Sequence, residues 1–277
     1  MATAPIPESL SKIAEEREEA LFEEFPKVRY RQNPLETVLA EVRFPPTLRI
    51  DTEIPAVFQD ALAGEFPLFN EVNPISLAPP EVAKLFQSAN VLPMAKTFTF
   101  SSADGNWSLA LTRGSLSLTC QKYTRWNEFR EKLRGPFEAL LRIYEPQFLL
   151  RIGLRYRDVI SRKRLGLSEV PWHDLLLPGI VGVIHTSLEP VLDTCWNQFV
   201  FKLQKEETQV LLQHGLQPVP PVGEKCYIFD ADFSTQSRTE PQNAFDALQY
   251  FNKRSWYFFR ACIADRLHEA MQPDPIS

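Results

Sequence analysis

The sequence predicts an α+β fold: two tandem β-α-β-β-β-α units that form antiparallel sheet with helices packed on one face, preceded by a helix. Three observations predict it. Short runs that alternate apolar and polar residues are joined by glycine turns at Asp104-Gly105 and Arg113-Gly114, the signature of antiparallel hairpins. Longer stretches with apolar residues at helical spacing follow each group of strands. The same order of elements then recurs after a strand near the midpoint, Phe148–Ile160, FLLRIGLRYRDVI.

Taken in order, residues 1–28 read as a helical arm. Leu10, Ile13, Ala14, Leu21 and Phe25 lie on one stripe from Glu8 to Phe25, with Ser9 as a candidate cap. So thin a stripe must dock on its own body or on another chain. The first unit, 29–146, opens with an irregular lead-in at Tyr30–Pro34 and a strand at Thr37–Phe44 that Pro45-Pro46 ends. A short helix at Pro55–Gly64 and a proline-punctuated loop over 65–95 follow. Strands are predicted at Lys96–Ser102, Trp107–Thr112 and Ser115–Lys122, and then a helix from Arg125 to Tyr144 that Gly135-Pro136 should kink or split. The second unit, 147–277, repeats this order. It has the opening strand Phe148–Ile160, a short helical segment at Trp172–Leu177, strands at Trp196–Leu203, Thr208–His214 and Lys225–Thr235, and a last helix from Pro241 to Met271. The turn at Gly215–Glu224 is longer than its counterpart, which duplicated units tolerate.

At 277 residues and 44% hydrophobic, the chain can bury a core of this size. The net charge of −5 supplies no global field for nucleic acid, so a nucleic-acid partner is disfavoured. Glycine, at 10 against 23 prolines, is too scarce for the large glycine-dependent nucleotide folds. The four cysteines stand far apart and read as buried thiols, with no zinc spacing among them. The early glutamates do not fit a transit peptide, and no stretch reaches the ~20 apolar residues of a membrane span, so a cytoplasmic location is expected.

If helices cover one side of the sheet, the strands should turn charges to the other. Arg151, Arg155 and Arg157 share one face of the midpoint strand. Glu41 and Arg43 fall on its counterpart, Lys202 lies on the strand from Trp196, and Asp230 and Asp232 would face outward on the strand from Lys225. One account is a solvated face with charges paired across strands. The other is a recognition surface whose arginines fork onto carboxylate or phosphate. Asp230-x-Asp232 beside the arginines leaves a divalent-metal phosphohydrolase or nuclease as the alternative, although D-x-D is a weak motif and no metal site is assigned. No phosphate loop, dinucleotide turn, nucleophile elbow or zinc-protease helix occurs, and the four histidines do not recur at ligand spacing. No cofactor is expected, and no catalytic residue is nominated. Tunnel-type triphosphate enzymes, which line an antiparallel barrel with Glu, Lys and Arg, offer an analogy, but Leu39 stands where their first glutamate would precede Glu41-x-Arg43.

Several short motifs together carry a family resemblance. Tyr30-x-x-Asn33-Pro34, Glu41-x-Arg43-Phe44, Asp104-Gly105 with Trp107, Tyr123-x-x-Trp126-x-x-Phe129 and Arg151-Ile152-Gly153-Leu154-Arg155-Tyr156 resemble a sporadically distributed family of uncharacterised prokaryotic proteins of about this length. Asp158 stands where the family pattern favours Asn. The resemblance implies no established activity and no catalytic residue. The family's patchy distribution implies mobile cargo such as phage-defence or toxin–antitoxin loci, and with it a partner protein. The expectation is therefore a non-enzymatic binding or accessory protein that works through a partner, with a homo-oligomer left open by the arm and by sheet edges.

Overall fold

The computed structural model describes residues 25–72, 96–203, 205, 207–219 and 223–275. The described chain runs β1 (Val28–Tyr30), β2 (Leu35–Arg43), α1 (Arg49–Thr52), α2 (Ala56–Leu62), β3 (Leu68–Val72), β4 (Thr97–Ser101), β5 (Trp107–Thr112), β6 (Ser115–Cys120), α3 (Trp126–Tyr144) and β7 (Arg151–Ile160). After a 3-10 turn at Trp172–Asp174 come α4 (Pro178–Val181), β8 (Asn197–Lys202), β9 (Thr208–Val219), β10 (Glu224–Thr235), α5 (Ala244–Arg260), α6 (Asp265–Ala270) and β11 (Pro273–Pro275). The fold is mixed α+β, with antiparallel ladders and a few helices. The helix predicted from Glu8 lies outside the described residues, as does most of the loop predicted over 65–95. Two compact units divide the chain: Thr37–Arg155 with Ser234–Leu248, and Tyr156–Phe233 with Gln249–Ser277 and the stretch up to Glu36.

In the unit built on Thr37–Arg155, the strands follow the order β3-β4-β5-β6-β2, with the first half of β7 beside β2. The alternation read from sequence is realised in β4, β5 and β6, where every second residue is buried. Ser102 and Asp104 tie the first hairpin. Ser102 Oγ donates to the Asp104 carboxylate at 2.6 Å, Asn106 N donates to the same oxygen at 3.0 Å, and these bonds hold the carboxyl below its usual range. Helix α3 covers the apolar face with Phe129, Leu133, Phe137 and Leu140. It runs unbroken through Pro136, contrary to the predicted split. Proline forfeits one backbone bond there, and the burial of Pro136 and Phe137 on the packed face outweighs that loss. Phe58 of α2 joins this core through the rings of Phe100, at 5.6 Å, and Tyr144, at 6.0 Å. Strand β3 falls within the stretch expected to be loop.

In the other unit, the second half of β7 is followed in order by β10, β9 and β8, and β1 pairs with β11. Helix α5 packs Phe258 against Phe229, Phe233 and Phe201, at ring separations of 5.8, 6.0 and 5.6 Å. The single last helix predicted from sequence is two helices. Between them Leu177 N donates to Cys262 O and Ala264 N donates to Leu175 O, so these backbone groups bond to a neighbouring segment and leave the helical ladder. Strand β9 extends to Val219 and absorbs part of the predicted turn. Gly215 permits this: a Cβ there would lie 2.0 Å from the carbonyl oxygen of Cys195, too close for any side chain.

Candidate functional site

The face nominated by sequence divides along β7. In the unit built on Thr37–Arg155, Glu41 on β2 is the hub. One of its carboxylate oxygens accepts from Arg151 Nη1 at 3.1 Å and also from Arg43 Nε. Arg151 and Glu41 are both mostly shielded, which strengthens the attraction relative to a fully wet pair. Gly153 has a local role in this arrangement. A Cβ at that position would meet the Arg151 guanidinium at 2.2 Å, so the bare α-carbon lets the side chain lie back across its own strand. The space over Gly153 is thus taken by Arg151.

In the other unit, Arg157 is paired with Glu36 of β2. Lys202 does not join Arg157. It is exposed on β8, separated from β7 by β10 and β9, and at about 4.8 Å per strand the gap is roughly 14 Å. The expected outward face of β10 is not open: Ile228, Asp230 and Ser234 are buried alongside Tyr227, Phe229, Ala231 and Phe233. Asp230 is only 4% exposed and Asp232 is intermediate. Alternation in this strand marks two covered faces, as in a strand packed on both sides. Arg155 is intermediate in exposure. Among the described residues, no group of three or more His, Cys, Asp or Glu is placed to hold a metal ion.

The opposite face of β7 carries an unusual acid. Tyr156 accepts a bond from Asn252 Nδ2 at 2.7 Å, and two residues on, on the same face, Asp158 is buried. Burial, and secondarily the charge of Asp230, push the Asp158 carboxyl up to about 8, so it is a neutral acid at pH 7. Nearby in the same unit, Tyr30 OH and His268 Nδ1 are 2.7 Å apart. Burial raises the Tyr30 hydroxyl and lowers the His268 imidazole, so both stay neutral at neutral pH. His214, fully buried on β9, sits 2.6 Å from Tyr227 OH through Nδ1, and its Nε2 has no hydrogen-bond partner. Burial lowers this imidazole to about 4. Cys120 and Cys262 are buried with raised thiols, neither poised as a nucleophile.

Two features escaped the sequence. In the unit built on Thr37–Arg155, three large apolar side chains within ten residues, Leu48, Ile54 and Val57, are 65%, 73% and 66% exposed. The proline-rich context of that stretch hid the pattern. In the other unit, β8 is an end strand with Phe199 40% and Val200 55% exposed. Its alternation gives no clue that no other described strand pairs with one of its edges.

These arrangements supply charge pairs, one neutral buried carboxylic acid and exposed apolar side chains. Among the described residues, no cluster is fit to bind metal. No family model matches the chain, and no curated protein does. Among solved structures it is similar to an RNA triphosphatase, Pct1 of S. pombe, at 10% identity over 94% of this chain and 90% of that one, with a TM-score of 0.13, too low to carry any argument about fold or function.

Proposed function

We propose that this protein is a non-enzymatic binding or accessory protein that acts in the cytoplasm through a partner protein, encoded in a phage-defence or toxin–antitoxin locus. One observation carries the reading: Leu48, Ile54 and Val57, within ten residues of one another on the α1–α2 stretch, are each largely exposed. Single exposed apolar residues are ordinary, whereas three this bare on one short segment are side chains of the kind that protein partners cover. The nominated arginines support it indirectly. Arg151 and Arg157 are already paired with Glu41 and Glu36, so they act first as part of the scaffold. The locus assignment is supported by the family resemblance.

Internal duplication is part of the proposal. It is supported by strand neighbours: β2 adjoins the last strand of the β4-β5-β6 meander, and β7 adjoins the last strand of the β8-β9-β10 meander. Each opening strand thus closes on the third strand of its own group. A helix, α3 or α5, then follows.

The test is a pull-down from the native host with the full chain. A stoichiometric protein should be retained, and it should be lost with Ile54→Asp/Val57→Asp while Arg155→Glu weakens it less. Recovery of no stoichiometric protein, or recovery unaffected by the double variant, would sink the reading.

A further inference from the structure

The edge of β8 that no described strand covers has a defined hydrogen-bonding direction. Cys195 N donates to Leu216 O and Leu203 N donates to Thr208 O, and both pairs lie on the same regular register that matches Asn197 with His214 and Lys202 with Gln209. In an antiparallel pair, alternate residues turn both backbone groups toward the partner. The odd-numbered residues from Cys195 to Leu203 therefore bond to β9. The N–H and C=O groups of Gln198, Val200 and Lys202 point away from it, along the free edge. No other described strand follows β8 in the sheet order. The usual protections of such an edge are sparse: there is no proline or bulge in Asn197–Lys202, and the one charge, Lys202, is at its end.

We infer that β8 pairs antiparallel with β8 of a second copy of this chain, about a two-fold axis at Val200. The edge is complementary to itself in that register and poorly so in its neighbours. Centring on Val200 sets Val200 opposite Val200 of the second copy and Gln198 opposite Lys202, each pair exchanging two N–H···O=C bonds through groups that no described strand engages. Gln198 Oε1 accepts from Gln213 Nε2 at 3.1 Å within the chain, and its second lone pair can accept from the Lys202 ammonium of the second copy. On the other face, Phe199 meets Phe201 of the second copy in the closer, non-hydrogen-bonded spacing, where aromatic pairs interact best. Phe199 is half-exposed on one chain, with its ring against His214 at 5.3 Å and Phe201 at 6.0 Å, so it has a surface left to cover. Sliding the register by two residues in one direction sets Lys202 against Val200, and a further slide sets Lys202 against Lys202. Sliding the other way opposes Gln198 to Val200. An unrelated extended peptide has no reason to match this order of side chains, while a second copy matches it by symmetry. The end strand of the other unit, β3, differs: it carries Asn70 and Glu71, and Glu71 is paired with Lys96.

The test is sedimentation velocity on the full chain across micromolar concentrations. Wild type should reach twice the 31.8 kDa chain mass. Val200→Pro removes an outward N–H and blocks the edge without touching the bonds to β9, so it should be monomeric with an unchanged circular dichroism spectrum. Gln198→Lys places like charges in both symmetric pairs and should weaken the dimer about tenfold. Gln198→Lys/Lys202→Glu should restore it, because residues 198 and 202 meet only across the interface. A monomeric wild type, a dimer indifferent to Val200→Pro, or a charge swap that fails to rescue Gln198→Lys overturns the inference. A monomer that still captures a host protein would overturn it while leaving the partner-binding proposal standing.

Discussion

Strands β6 and β10 are both the third strand of a meander, and they bury different amounts of themselves. In β6, Leu116, Leu118 and Cys120 are buried, and Ser115, Ser117 and Thr119 remain partly wet. In β10, the run from Cys226 to Ala231 is buried without a gap, and Asp230 is buried with it. The side chains explain why the second case is harder to anticipate. Serine and threonine on β6 advertise a wet face, whereas Asp230, Asp232 and Ser234 on β10 advertise a wet face that is largely covered. Polar residues alternating with apolar ones thus report a strand, but they report solvent only when nothing else packs on the polar side.

The sharpest way to break this comparison is a charge placed on the second face of each meander. Ile228→Asp should destabilise by more than about 4 kcal/mol, because an unpaired carboxylate would replace a buried side chain. Ser108→Lys, on the partly wet face of β5, should stay within about 0.5 kcal/mol. Urea denaturation measures both, and similar small losses would mean that β10 has an open face after all.

Next in size is the pH response of Asp158. A carboxyl raised from 3.8 to about 8 binds more proton in the folded chain than in the unfolded one throughout that window. Stability should therefore fall as pH rises, by at most about 1.4 kcal/mol per unit, and should be fully retained below the window. His214 works in the opposite direction. Its imidazole, lowered to about 4, favours the folded state above pH 6.5 and loses that contribution as pH falls toward 4. Comparing wild type with Asp158→Asn at pH 5, 6.5 and 8 isolates the acid. A wild-type-minus-variant difference that does not change with pH would show that Asp158 is ionised or exposed.

Tyr227→Phe should cost about 1–3 kcal/mol by leaving His214 Nδ1 buried without its partner, its Nε2 being unpaired already. A neutral result would mean that water reaches the ring. The smallest effects belong to the arginines. Arg157→Met, in a half-exposed pair, should change stability by under about 1 kcal/mol, and Arg151→Met, whose partner Glu41 is better shielded, somewhat more. The reverse order would mean that the Arg151–Glu41–Arg43 cluster contributes less than its burial implies.

The hairpins were legible because glycine turns and serine–threonine faces are local signals. Helix α3 was legible except for Pro136, where the cost of one missing bond was weighed without the packing around it. The break between α5 and α6 was not legible. Its cause is a pairing between Leu175–Leu177 and Cys262–Ala264, and no window of sequence contains both partners. The candidate face was half legible. Sequence placed Arg151, Gly153, Arg155 and Arg157 on one side of β7 and left solvated pairing with acids as one account of them. It gave no hint that Arg151 folds over Gly153, since that depends on a rotamer. Alternation alone sets Lys202 on the charged face, while the strand order that separates it from Arg157 is a long-range fact.

The pairing of Val28 with Pro275 and of Tyr30 with Pro273 has a consequence in time. On the ribosome, β1 emerges among the earliest described residues, and its partner β11 follows only after nearly all the others. At 5–20 residues per second, that interval is roughly 10–50 s. The β5–β6 hairpin closes across two residues and needs no such wait. Newly made chains therefore spend most of their synthesis with Tyr30 uncovered, and a chaperone that holds early apolar segments would find this one before α5 and α6 arrive to bury it.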